Sequence, residues 1–128
     1  RSFRSLRVRY WGMGKRTAWI LDEIGKERPI TIGVVVDDNK IADVVILTYR
    51  ESRGGEVRHT FFTKQFVNCG LATDKKSTSK QTYSLDGSID SITGATLSVR
   101  AVTRVATLAL YFHLQTPFSA SGPVAGVD

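Results

Sequence analysis

The clearest periodic pattern in the chain lies near its end. From Thr96 onwards, apolar residues recur at Leu97, Ala101, Val102, Val105, Leu108, Ala109 and Phe112. Arg100, Thr103, Arg104, Thr107 and Tyr111 gather towards the opposite side. This spacing predicts a long amphipathic helix ending near His113. Upstream, residues 28–37 carry β-branched side chains at Ile30, Thr31, Ile32, Val34, Val35 and Val36, and Ile41–Tyr49 is a second such run. Asp38-Asn39 between them has the turn chemistry of a hairpin.

The remaining pattern is weaker. Trp19, Ile20 and Ile24, followed by Gly25, predict a short helix over Lys15–Ile24. Phe61, Phe62 and Phe66 predict another over Arg58–Val67, ended by Asn68-Cys69-Gly70. Arg1–Tyr10, with Phe3, Leu6, Val8 and Tyr10 as anchors, reads as an arm or an edge strand that stops at the turn Trp11-Gly12-Met13-Gly14. Thr73–Tyr83 is rich in Lys, Ser and Thr and reads as an exposed loop, with a short strand near Tyr83–Leu85 and a turn at Asp86-Gly87. After His113, Pro117, Gly122 and Pro123 punctuate an extended tail. The expected layout is an arm at 1–14, one α+β domain at 15–115 and a tail at 116–128.

Composition narrows the function classes. A chain of 128 residues with 41% hydrophobic residues suits one domain with one core. No apolar run approaches the ~20 residues that span a bilayer, and an exported protein freed of its signal or anchor reads the same way. The net charge of +6 points to acidic partners. Outside Arg1, Arg4, Arg7 and Arg9 the basic residues are scattered, without the aromatic interleaving of a base-stacking platform, so no nucleic-acid partner is expected. The single cysteine, Cys69, excludes an internal disulfide, Cys-rich metal or cluster sites and C-x-x-C-H haem attachment. It is read as a small buried hydrophobe, with pairing to another chain left open. His59 and His113 are too few and too far apart for a metal centre, and His113 is placed against the last carbonyls of its helix. Trp11 and Trp19 are read as packing residues, with contact to a flat ligand as the alternative.

Candidate chemistry concentrates where the long helix begins. Asp90-Ser91-Ile92-Thr93-Gly94-Ala95-Thr96 supplies three hydroxyls able to cap the helix, a glycine that lets the backbone bend, and an alanine of little bulk. A helix N-terminus also favours a phosphate. A hydroxyl there can hold that phosphate non-covalently or be esterified to it, and residue types alone do not choose.

The same seven residues resemble the D-x-x-[S/T]-G-A-T flavinylation motif of the FMN-binding domain family, matching every fixed position. That family includes flavin subunits of sodium-pumping NADH:quinone reductases, related ion-pumping complexes and exported respiratory flavoproteins. Glu51-Ser52-Arg53-Gly54-Gly55-Glu56 is similar to the family's E-[S/T]-x-G-x-G/E loop, and Gln65-Phe66 to a Q-F pair; Arg53 departs from the residues usual there. The resemblance runs from about Gly25 to Phe112.

It implies a small twisted antiparallel sheet packed against helices, with the long C-terminal helix starting at the motif. It also implies FMN joined covalently through its phosphate to Thr96, as phosphoester-threonyl-FMN, by a dedicated flavin transferase. Asp90, Thr93, Gly94 and Ala95 would position the acceptor or admit the cofactor, and Glu51, Ser52, Gly54 and Gly55 would face the flavin. No catalytic residue and no metal site are assigned. The implied role is electron relay between redox proteins such as cytochromes or other flavoproteins, in a periplasmic or otherwise exported setting and in possible association with a membrane complex. Two alternatives stand beside it: a basic anion-binding module without redox chemistry, and a non-covalent FMN reductase.

Overall fold

A computed structural model describes residues 8–24, 28–50, 55–75 and 81–119. Four antiparallel strands form the main sheet in the order β1 (Val8–Met13), β2 (Arg16–Ile24), β3 (Pro29–Asp37) and β4 (Lys40–Thr48). A two-stranded ribbon, β5 (Leu71–Lys75) with β6 (Gln81–Leu85), follows a short helical stretch. The long helix α2 (Thr96–Leu114) lies across β2 and β3. The α+β class, the twisted-sheet-and-helix layout and the start of the long helix at the motif are as expected.

The β3–β4 hairpin is the element that local chemistry specifies best. Asp38 and Asn39 take φ of 55° and 66°, the left-handed pair that a tight two-residue hairpin turn requires. Val34, Val36, Ile41 and Val44 enter the core, and alternate residues face out. Bulges on β4 shift the register opposite Thr31/Ile32 and Val35/Val36. The outer edge of β4 is closed at Ile41, whose N–H donates to Cys69 O (2.8 Å) and whose carbonyl accepts from Asn68 N–H (2.7 Å).

Helix α2 buries Ala101, Val102, Val105, Ala106, Ala109, Leu110 and His113 completely. Three alanines on that stripe let the helix axis sit close to the sheet. The stripe is rotated from the one expected, since Leu97 is exposed while Ser98 and Val99 turn inward.

Residues 16–24 form a strand, not the expected helix. Thr17, Trp19, Leu21 and Glu23 are buried, and Ala18, Ile20 and Asp22 between them are only partly so, a period of two. The carboxylate at Glu23 hid that alternation. Its burial is offset by Arg104, whose guanidinium reaches Glu23 Oε2 at 2.7 Å. Trp19 packs in the core as expected, stacked under Tyr10 at 4.3 Å, and Trp11 is exposed.

Other expectations are also corrected. Thr73–Tyr83 contains strand at both ends, and residues 76–80 lie outside the described residues. Backbone pairing of Leu71–Lys75 with Gln81–Leu85, together with Tyr83 packed on Tyr111 of α2, holds a ribbon that polar composition concealed. The helix over 58–67 is broken into a 3-10 turn (Gly55–Arg58), α1 (Thr60–Thr63) and a second 3-10 turn (Lys64–Phe66). Its Phe62 and Phe66 are fully buried, edge to face. A strand is seen at the start as β1, but Trp11, Gly12 and Met13, expected as a turn, continue it by pairing with Ala18, Thr17 and Arg16, and the chain turns at Gly14 and Lys15 instead. Gly12 on that strand has the ring of Phe118 packed directly on it, at a distance that leaves no room for a Cβ. Residues 1–7 and 120–128 lie outside the described residues.

His113 does not serve the last carbonyls of its helix. It is buried, with Nδ1 2.7 Å from Thr17 Oγ1 and Nε2 3.1 Å from Asn39 Oδ1. Trp19 Nε1–H donates to the same Thr17 oxygen (2.7 Å), so the Thr17 hydroxyl proton is left for His113 Nδ1, and Nε2–H donates to Asn39. This neutral ring ties α2 to β2 and to the hairpin turn. Burial lowers its pKa from the ordinary 6.5, and the Asp37 carboxylate opposes that only in part. A histidine whose folded pKa lies below its unfolded pKa contributes stability that is fully present above pH 6.5 and is lost as pH falls below it. Urea unfolding between pH 7.5 and 5.5 is therefore expected to show declining stability for the native chain and a shallower decline for His113→Gln.

Candidate functional site

Helix α2 opens at Thr96 with Ala95 as its N-cap, and no side chain caps it. The expectation that Ser91, Thr93 or Thr96 would cap the helix is not met. Its first turn carries no acidic residue either. The first N–H groups of a helix have no acceptor within it, so this end favours an anion. Thr96 is exposed here, as are Asp90, Ser91, Thr93 and Gly94, while Ala95 is buried.

The turn before the helix is held on both sides. Ala95 N–H donates to Ile92 O (2.9 Å), and Gly94 between them has φ of 82°. A Cβ on Gly94 would meet no protein atom within 4 Å. The glycine is therefore needed for its backbone angle, and the space beside it is open. On the other side, Asp90 N–H donates to Gln65 Oε1 (2.7 Å), and Gln65 Nε2 donates to Phe62 O (3.3 Å). Gln65, of the Q-F pair, is thus engaged in fixing the motif to the short helical stretch.

Tyr49 sits between Gly55 and the start of α2. Its hydroxyl lies 2.9 Å from Ser98 Oγ in the first turn of α2, and its ring edge is 3.9 Å from where a Gly55 Cβ would stand. Gly55 therefore sits against the same tyrosine that anchors the helix start. Glu51, Ser52, Arg53 and Gly54 lie outside the described residues. Tyr49 ends a strand run and Ser98 follows the motif by two, and neither position carries a pattern of its own.

These features fit a phosphate-bearing ligand. Thr96 is exposed at the positive end of a helix, and a Cβ on Gly94 would have open space. Arg100, one turn further along the same side of the helix, is exposed and able to balance a phosphate charge. The family model of the FMN-binding domain matches residues 25–111, more than half of the chain and inclusive of both the glycine loop and the motif. The chain belongs to the FMN-binding domain family. No curated protein and no solved structure matches it. The FMN-binding domain is therefore a flavoprotein by family, and its anion-favouring helix start lies within the matched span.

Cys69 is kept away from this chemistry. Its thiol is buried, points at Gln65 O (3.6 Å) and has its pKa raised, first by burial and then by the Asp86 carboxylate. A thiol of that kind stays protonated at neutral pH and is a poor nucleophile.

Gly94 offers a direct check on the motif's geometry. Any L-residue at a φ of 82° is strained by roughly 1–2 kcal/mol. Gly94→Ala is expected to lower unfolding free energy in urea by about that amount, although the new methyl group clashes with nothing.

Proposed function

We propose that this FMN-binding domain carries its FMN covalently, as a phosphoester on Thr96, and relays electrons between redox proteins. The observation that carries this reading is that Thr96 is exposed at a helix start with no side-chain cap and no acidic residue in its first turn, within a motif matching the flavinylation pattern. The adduct equals protein plus FMN less one water, and attachment is assigned to a dedicated flavin transferase. When bound, the flavin supplies one- or two-electron transfer.

The chain's own residues do the rest. The N–H groups at the start of α2 and the guanidinium of Arg100 balance phosphate charge. Gly94 clears the approach, and Asp90 and Thr93 either position the acceptor hydroxyl or are read by the transferase. Tyr49 and Gln65 keep the motif rigid from either side. Glu51, Ser52, Gly54 and Gly55 are assigned to the flavin-facing loop.

A covalent link suits a shallow, open site, because retention no longer depends on deep burial. It also prevents loss by dilution, which supports placing the domain in the periplasm or another exported setting, where free flavin is scarce. Cytochromes and other flavoproteins, including those of membrane complexes, are the partners this reading favours, and the net charge of +6 favours acidic ones.

Co-expression with a flavin transferase tests the assignment. The native chain is expected to give a fluorescent band after denaturing electrophoresis, and Thr96→Ala is expected to give none while unfolding normally in urea. Retained fluorescence in Thr96→Ala would move the attachment site. Flavin present in the native protein but released on denaturation would favour the non-covalent reading.

A further inference from the structure

The main sheet has a second face, turned away from α2. Across it, paired positions bring Arg9, Ile20, Gly33 and Val45 into one row, with Trp11, Ala18, Val35 and Asp43 in the next. Trp11, Val45 and Leu47 are each about half exposed. Leu47, at a β4 bulge, lies over Gly33, its Cδ1 3.5 Å from where a Cβ would stand. Beside this apolar strip is a cavity of about 190 Å³ lined by Arg9, Ile20, Asp22, Thr31 and Arg50.

Charge and size say what the cavity accepts. Two guanidinium groups face one carboxylate, and that carboxylate already accepts from Thr31 Oγ1 at 2.7 Å. Arg50 uses one terminal nitrogen on Pro29 O (2.7 Å) and Thr31 Oγ1 (3.4 Å). A guanidinium has five N–H donors in a fork matched to carboxylate, so capacity remains. The volume equals roughly six waters, below the ~300 Å³ at which small-molecule sites begin. That is room for one carboxylate side chain. A free anion would have no use for the adjoining apolar strip, whereas arginine beside exposed apolar and aromatic residues is the composition of a protein interface.

We infer that this face docks an acidic partner protein, which places an Asp or Glu carboxylate in the Arg9–Arg50 cavity and covers Ile20, Val45 and Leu47 with apolar side chains. Its position deepens the electron-relay reading. Tyr49 and Arg50 are consecutive and turn to opposite faces, Tyr49 to Ser98 on α2 and Arg50 to Pro29 and Thr31. The cavity therefore lies at the same end of the sheet as Thr96, one layer away. The inference names the partner surface of that reading but needs no flavin to be tested, so its failure would leave covalent attachment untouched.

The test is a titration of the ¹⁵N-labelled protein with an acidic peptide alternating glutamate and leucine, against its glutamine counterpart and, separately, phosphatidylglycerol vesicles. Amide shifts are expected to centre on Arg9, Ile20, Thr31, Leu47 and Arg50 with the acidic peptide only. Replacing both arginines (R9Q with R50Q) is expected to weaken binding about tenfold or more. Removing the same charge elsewhere (K40Q with K64Q) should change it by less than about twofold. Leu47→Glu, which leaves both arginines in place, is expected to weaken it several-fold. Shifts scattered over the surface, equal weakening by the two double variants, or localised shifts with vesicles alone would overturn the inference.

Discussion

The seat of α2 on the sheet is the constraint on which the candidate site depends. Ala101, Ala106 and Ala109 are fully buried, so the helix is set close against β2 and β3 and has little freedom to roll. Its two ends are tied by different chemistry. At the far end the neutral His113 ring joins Thr17 and Asn39, and at the near end Tyr49 reaches Ser98. Arg104 on Glu23 adds a charged contact between them. With both ends fixed, the first turn is presented at the rim of the sheet, where its free N–H groups and the Thr96 hydroxyl meet solvent.

That arrangement assigns distinct tasks to neighbouring residues. Ala95 is buried and small, Gly94 supplies a backbone angle, and Thr96 alone offers an exposed hydroxyl at the first helical position. A side-chain cap would have quenched the donors that favour phosphate, and an acidic first-turn residue would have opposed it. Among the described residues α2 has neither, so its first turn still favours an anion. The buried, raised-pKa Cys69 provides no competing nucleophile among these groups.

Much of this was legible in the sequence for physical reasons. Asp38-Asn39 between two β-branched runs states a hairpin, and seven motif residues ahead of a helical period state where α2 begins. The α+β class follows from those two features, and the family from the resemblance of the motif. What stayed hidden was hidden by tertiary pairing. Glu23 broke the alternation of β2 because its partner, Arg104, lies 81 residues away. Thr17 and His113 are polar residues in the core whose satisfaction depends on each other across 96 residues. The β5–β6 ribbon rests on backbone bonds that leave no mark in composition. In the site, Tyr49, Ser98 and Gln65 act as props for the motif, a role set by where strands and helix meet and not by local pattern.

The central claim is that the Thr96 oxygen carries the flavin. Tandem mass spectrometry of peptides from the protein matured with its transferase tests this most directly. The account requires the mass of FMN less one water on the peptide spanning the motif, with fragment ions placing it on Thr96. A bare Thr96, in a preparation where the transferase modifies a known acceptor, would contradict it.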